Sequence, residues 1–415
     1  MSQTARNTLP LIFLLAILSP MSIDIYLPSI PEMALWFNAA ESDLHSTLTL
    51  FMFCLGFGQL AAGPIADRLG RKKVALGGVV LFIIGAIIAI FAKQLEVLNF
   101  ARSLQGLGAA CGSVSAFAWI RDNFAAEEAG RWISYIGGAI GLMPTFAPIL
   151  GSLLALNWGW QANFGFMVIA GLFLMAGIMM RFANDAPIKM AAEESQKNDA
   201  MIKSGLKSDL LEIITNRQFL ISSISGMFAM GAIISYATHA PTVAITMAGM
   251  SSIGFSILFG INGLVQLVSS LFAPTVSKRI GPHLTIALGL VIAGLAAVGL
   301  WTLDSTIGQQ YPLIFFALTA VFGVAFNLIF GTAAGLALAP FGHCAGTAAA
   351  LDGFARMAGG ALIATLVTLP GLSAFNTVAL AFGLLLLPLP WFIKDGMFNN
   401  QEEINCDQQY QPQAA

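Results

Sequence analysis

Two apolar runs, Leu44 to Ala62 and Val74 to Ala92, flank a short basic loop, and neither carries an acidic or basic charge. Each run is close to the roughly 20 apolar residues that cross a bilayer. A chain that repeats this pattern has few options, because backbone in hydrocarbon must satisfy its own hydrogen bonds and so forms helices or closed barrels. Runs of this length select helices. Hydropathy places twelve of them, at 9–31, 43–66, 72–92, 96–119, 131–156 and 160–182, then 217–243, 252–275, 283–303, 310–337, 344–369 and 372–394. The predicted fold class is therefore an all-α integral membrane protein with twelve transmembrane helices in two six-helix halves. The halves cover 1–182 and 217–394, joined by a polar linker at 183–216 and followed by a Gln-rich tail at 395–415.

The composition fits a lipid solvent. The chain is 57% hydrophobic and 10% charged, against about 25% charged in soluble domains. A net charge of -2 gives no reason to expect nucleic acid. Cys54, Cys111, Cys344 and Cys406 lack the paired spacing of a disulfide or metal framework, and no metal or cofactor is expected. The first run, Leu9 to Leu27, has no small-residue cleavage site and contains Asp24. It reads as the first span, not a signal peptide.

Charge sets the expected orientation. Of 19 Lys and Arg, 16 fall on the face shared by both termini and the linker, and only Lys93 falls in an opposite loop. Arg102 and Arg356 lie inside spans. The positive-inside rule then predicts cytoplasmic termini. The chain also repeats itself: Gly63-Pro64 through Gly70 corresponds to Ala273-Pro274 through Gly281, and Pro31 to Pro241, at offsets near half its length.

Several motifs carry a family resemblance. Gly63-Pro-Ile-Ala-Asp67-Arg68-Leu-Gly70-Arg71 resembles the loop between the second and third helices of the major facilitator superfamily. Arg102-Ser-Leu-Gln105-Gly106 is similar to that superfamily's Arg-x-x-Gln-Gly motif. Ser22-Ile-Asp24-Ile-Tyr26-Leu-Pro28-Ser-Ile-Pro31 resembles the first helix of drug:proton antiporters of the Bcr/CflA type. A stretch with Gly141, Pro144, Pro148 and Gly151 resembles their fifth-helix motif, short of its fully glycine-rich form. Pro340-Phe341 through Ala348 is similar to the same branch before its eleventh helix. The resemblance implies a proton-coupled carrier working by alternating access, expelling small amphipathic compounds such as phenicol-type drugs. It implies a monomer in a bacterial inner membrane, with substrate, protons and the lipid bilayer as partners. It also implies a cavity between the halves, lined by spans one, two, four, five, seven, eight, ten and eleven. A metabolite carrier would use the same fold. An embedded enzyme would need a nucleophile or metal motif, and Gly-x-Ser-x-Gly, His-Glu-x-x-His and Cys-x-x-Cys are absent.

The residues suggest chemistry without the family. An ionisable group in a span costs a few kcal/mol at the centre on insertion scales, and so asks for a role. Asp24 is about 16 residues, or roughly 24 Å, into the first helix, and Arg102 is roughly 10 Å down the fourth from the other side. These depths overlap, so the two are expected to be able to meet and to govern a proton. The alternatives are a hydrated Asp24 at a vestibule edge and an Arg102 that donates to helix-end carbonyls. Asp352 and Arg356, four apart, share a helix face and either pair structurally or line the cavity. Asn262, Gln266 and Asn327 either join helices or bind ligand. Tyr26, Phe51, Phe53, Phe57, Trp119, Tyr236 and Phe330 are candidates for an aromatic lining. His45 is set aside as a span-end residue, and His239 reads either as a group that titrates near neutrality or as a wet rim residue. At the loop, Gly63, Asp67, Arg68, Gly70, Arg71 and Arg121 form a candidate cytoplasmic gate, with Arg121 or Arg131 as the expected partner of Asp67.

Overall fold

The computed structural model describes residues 3–124, 126–182, 209–302 and 311–395, and all regular structure among them is helical. The first span is Gln3–Asp24, a 3-10 turn at Leu27–Ser29, and Ile30–Phe37. The next five are Glu41–Leu69, Arg71–Ile90, Leu95–Asn123, Ala126–Trp158 and Gln161–Arg181. Most of the expected linker lies outside the described residues; 209–215 are helical. The seventh span is Arg217–Pro241 continued by a π-helical turn at Thr242–Met247, the eighth Ser252–Ile280, the ninth Pro282–Thr302 and the tenth Pro312–Leu338. The eleventh runs through Ala345–Phe354, a π-helical stretch at Ala355–Gly359, and Gly360–Leu366; the twelfth begins at Ala374–Gly383.

Ten of these helices are long and apolar enough to cross a membrane. The two other expected spans, the fourth and the eleventh, form helices whose apolarity is diluted by small residues and by buried charge. The fourth carries Arg102 and Gln105, and the eleventh Asp352 and Arg356. The polar groups that lower their hydropathy are those that build the interior.

The duplication suspected from the motifs is written in the backbone. Six described residues have positive φ, and they fall into three pairs. Asn38 corresponds to Gly249 and Gly70 to Gly281, each 211 positions on, and Gly159 corresponds to Gly371, 212 positions on. Each marks the same inter-helix turn in its half. Gly70 and Gly281 end their helices at φ 91° and 81°, a region that penalises a Cβ.

Within each half, helices approach to backbone contact. A Cβ at Gly106 of the fourth span would strike the Phe51 carbonyl of the second. Such small-residue contacts are the main means of association in lipid, where apolar side chains gain nothing by leaving a solvent as apolar as themselves. The halves meet along a seam of second against eleventh span, fifth against eighth, and first against seventh.

Candidate functional site

The first helix ends at Asp24 because the chain is running into Pro28, which offers no backbone donor. Ile25 N still reaches the Met21 carbonyl at 3.0 Å, after which the chain tightens into the 3-10 turn, with Ser29 N on the Tyr26 carbonyl at 2.9 Å. Asp24 thus lies at the break of a discontinuous span, 6% exposed. It makes no hydrogen bond or ion pair among the described residues. Discontinuous spans are where carriers place their binding groups.

Arg102 is fully buried, but not beside Asp24. Its guanidinium stacks on Tyr26 at 4.6 Å and Phe51 at 4.4 Å, and Nη1 donates to Gln105 Oε1 at 2.8 Å. The expected meeting of Asp24 and Arg102 is therefore corrected: overlapping depths do not place two side chains on facing sides of their helices. Tyr26 is equally enclosed, with its hydroxyl 3.0 Å from Thr47 Oγ1.

Across the seam, Asp24 is within electrostatic reach of Tyr236 on the seventh span. The Tyr236 hydroxyl accepts from Asn262 Nδ2 at 3.0 Å, and the same amide donates to Thr319 Oγ1 at 2.9 Å. Tyr236 stacks on Phe259 with centroids 5.3 Å apart. One buried polar chain thus links the seventh, eighth and tenth spans and comes within electrostatic reach of the carboxyl of the first.

The second charged centre is the pair its spacing suggested. Arg356 Nε lies 2.7 Å from Asp352 Oδ2, and the Ser223 hydroxyl donates to Asp352 Oδ1 at 2.7 Å. Arg356 Nη1 donates to the Phe330 carbonyl at 2.6 Å, and the guanidinium lies 4.7 Å from the Phe330 ring. Arg356 sits in the π-helical stretch, and such bulges concentrate at functional sites.

The other candidates sort by contact. Asn327 Nδ2 donates to the Gln266 carbonyl and Ser269 Oγ, both at 2.8 Å, and so ties the tenth span to the eighth. Phe53 and Phe57 pack at 4.7 Å, and Phe57 meets Phe354 of the other half at 4.8 Å. Trp119 is corrected from cavity lining to core: it is 5% exposed and packs on Phe124 and Phe182 of its own half. In the basic loop, Arg71 Nε pairs with Asp122 Oδ2 at 3.0 Å, bridging the loop to the end of the fourth span. That acid was missed by sequence reasoning. Arg68 and Arg121 are exposed, Gly63 has open space around it, and the Asp67 side chain lies outside the described ones.

The fifth-span motif belongs to the seam. A Cβ at Gly151 would run into the Ile25 carbonyl, next to Asp24. Gly141 faces Leu267 and Pro144 faces Gly263, both of the eighth span, while the Pro148 carbonyl accepts from Ser256 Oγ at 3.1 Å. Gly151→Val should therefore force the first and fifth spans apart. Overpacking of this kind costs about 1–3 kcal/mol and at times more. A loss of thermal stability of that size in detergent, with little transport, is expected; wild-type stability would show that the approach is not needed.

The seam is closed at the face opposite the basic loops. There the Thr242 and Thr246 hydroxyls donate to the two carboxylate oxygens of Glu41. Ser152 and Ser256 hydroxyls are 2.6 Å apart, and Thr145 donates to the Gly260 carbonyl at 3.2 Å. None of these residues stood out in the sequence, because each is a lone polar residue whose partner is more than a hundred positions away. His239 is also corrected: it is buried, not a wet rim residue, and it lies against His45. A cleft of about 240 Å³ beside this closure is lined by residues including Ser29, Glu32, Ser152 and Ser252.

Comparison with known proteins agrees with this architecture. The model of the family described as Major Facilitator Superfamily matches residues 12–364. Multidrug resistance protein MdtL of Escherichia coli O157:H7 is 28% identical over 387 residues, 92% of this chain and 95% of the relative. The protein of the same name from Shigella dysenteriae serotype 1 is 27% identical over the same shares. Among solved structures, a D-xylose–proton symporter superposes with a TM-score of 0.74 at 17% identity, covering 94% of this chain and 97% of its own. A peptide transporter bound to alafosfalin gives 0.71 at 14% identity, covering 94% and 95%.

Proposed function

Because the chain belongs to the major facilitator superfamily, and so is a multi-pass inner-membrane transporter and not an enzyme, we propose that it exports small amphipathic compounds in exchange for protons. The observation that carries this is Asp24: a buried carboxyl without a hydrogen-bond or ion-pair partner among the described residues, at the break of the first span, on the seam, within electrostatic reach of Tyr236 of the other half. When the halves rock about a fixed site, such an acid changes its hydration and neighbours, and hence its hold on a proton. That is what exchange requires. The likeness to proteins named for multidrug resistance, at 28% identity, supports the same class. Within it, the Bcr/CflA type is the branch the motifs favour.

The orientation proposed is the one charge dictates, with termini, basic loop and linker in the cytoplasm. Asp67, Arg71 and their neighbours would then brace the cytoplasmic side, and the structure would be closed to the outside. A reporter active only outside the cytoplasm should be silent when fused after Lys394 and active when fused after Gln94. The reverse would overturn the charge argument.

Proton exchange is tested in vesicles of both orientations. In inside-out vesicles acidified within, adding a substrate should release the internal protons as the substrate accumulates. Candidates come from a resistance profile in an efflux-deficient host, comparing phenicols, cationic dyes, fluoroquinolones and nucleosides. Accumulation in acidified medium by right-side-out vesicles, with protons and substrate entering together, would instead make the protein an uptake carrier.

A further inference from the structure

The closed end of the seam holds two imidazoles that the exchange reading leaves unused. His45 lies on the second span, about one turn inside Glu41. His239 lies on the seventh, three residues before Thr242, whose hydroxyl Glu41 accepts. Their ring centroids are 4.4 Å apart with the planes inclined at 59°, and the residues are 8% and 7% exposed. His239 Nδ1 is engaged at 2.8 Å by the Ser235 carbonyl, with the Thr238 hydroxyl at 3.2 Å. His45 lies against the Thr238 backbone, yet neither of its ring nitrogens makes a well-formed hydrogen bond among the described residues. A buried polar group that is poorly hydrogen-bonded is costly. Here it lies between two elements that must part when the transporter turns over.

No charged group near this end of the packed elements forms an ion pair with either imidazole among the described residues. Glu41 is occupied by Thr242 and Thr246, and Asp43 accepts from the Ala40 amide. On the first span, Asp24 lies within electrostatic reach of Tyr236, and Glu32 lines the neighbouring cleft. On the fourth span, Glu96 lies in the first helical turn, and Arg102 is enclosed by Tyr26, Phe51 and Gln105. On the eleventh, Asp352 and Arg356 satisfy each other. The tenth span and the twelfth over Ala374–Gly383 carry no charged residue.

We propose that His45 and His239 form a proton-binding latch on the far face: the halves stay closed there only while the pair holds at most one proton. Two imidazolium rings at this spacing repel, in surroundings where charge is poorly solvated. Once the halves separate, each ring is hydrated and free to bind its own proton. Protons therefore favour the state open to the far side, because a ligand shifts an equilibrium toward the state that binds it better. Histidine suits the task, since its charge changes near neutrality. The inference rests on the alternating-access reading, and gives it a second proton site: acid on the far side would open the face through which Asp24 is reached.

The test reads conformation, not transport. Cys54, Cys111, Cys344 and Cys406 are replaced by Ser, and spin labels are attached at Leu35→Cys and Ile253→Cys, two exposed far-face positions on opposite halves. The protein is placed in lipid nanodiscs, with both faces at one pH. Lowering pH from 7.5 to 5.5 should raise the ratio of long to short label distances by roughly 5- to 150-fold, the span of a typical coupling. His45→Gln with His239→Gln should flatten that response. Should the Gln pair fail to elute as one monodisperse peak, His45→Asn with His239→Asn takes its place. A wild-type protein with no response, or a double variant that responds as wild type does, would overturn the latch. Asp24→Asn with the same labels should still respond. If it alone loses the response, the latch is wrong and the proton role of Asp24 stands.

Discussion

Asp24→Asn is expected to abolish active efflux while leaving substrate binding in place. Protons entering down the membrane potential supply about 2.3 kcal/mol per charge per 100 mV. A gradient equivalent to about 150 mV yields roughly 3.5 kcal/mol per proton, enough for accumulation by several hundred-fold of a neutral substrate. To use that energy, some group must gain its proton on one side and release it on the other. Among the described residues, Asp24 is the one acid buried in a span of the amino-terminal half, at a break in the helix and on the seam. The amide matches the protonated acid in shape, so the variant should bind substrate and lose the proton release that binding triggers in the wild type. The two measurements are efflux from energised cells and substrate-induced proton release from detergent-solubilised protein. If Asp24→Asn keeps both and Asp352→Asn loses both, the proton belongs to the other half of the molecule.

The fold was legible because bilayer thickness translates directly into run length. Even the fourth and eleventh helices, which fall short on a stricter measure of apolarity, were placed by hydropathy, since a few buried polar groups shorten an apolar run without ending it. Local pairings were legible too: Asp352 and Arg356 are four apart, and helical geometry alone brings them together. What a helix does in rotation was not. Depth along a span comes from counting residues, but the side of the helix that a residue faces comes from tertiary packing. Asp24 and Arg102 therefore share a depth and not a contact. Trp119 fills its own half's core for the same reason. The His45–His239 contact had no local signal, because its two members belong to different halves and lie far apart in the sequence. Spacing patterns report chemistry confined to one helix or loop, whereas a seam between duplicated halves is built from single polar residues scattered along the chain.

Removing either member of the Asp352–Arg356 pair should destabilise the carboxy-terminal half more than removing both. Arg356→Met leaves the Asp352 carboxylate buried with the Ser223 hydroxyl as its remaining donor. Asp352→Leu leaves a guanidinium held by the Phe330 carbonyl and ring. Breaking a buried pair in this way costs about 3–5 kcal/mol, whereas replacing both partners with apolar groups of similar size is often neutral or stabilising. The double variant should therefore recover most of the loss, minus the hydrogen bonds to Ser223 and Phe330. A cycle of the four proteins, read by thermal unfolding in detergent, isolates the coupling between the two side chains. Efflux then decides what the pair is for. If it only holds the seventh, tenth and eleventh spans together, the recovered double variant should export substrates at near wild-type rates. A double variant that is stable but has lost export of cationic compounds alone would move Asp352 from the framework to the substrate site, since its carboxylate is the natural partner for a cation on that side of the seam.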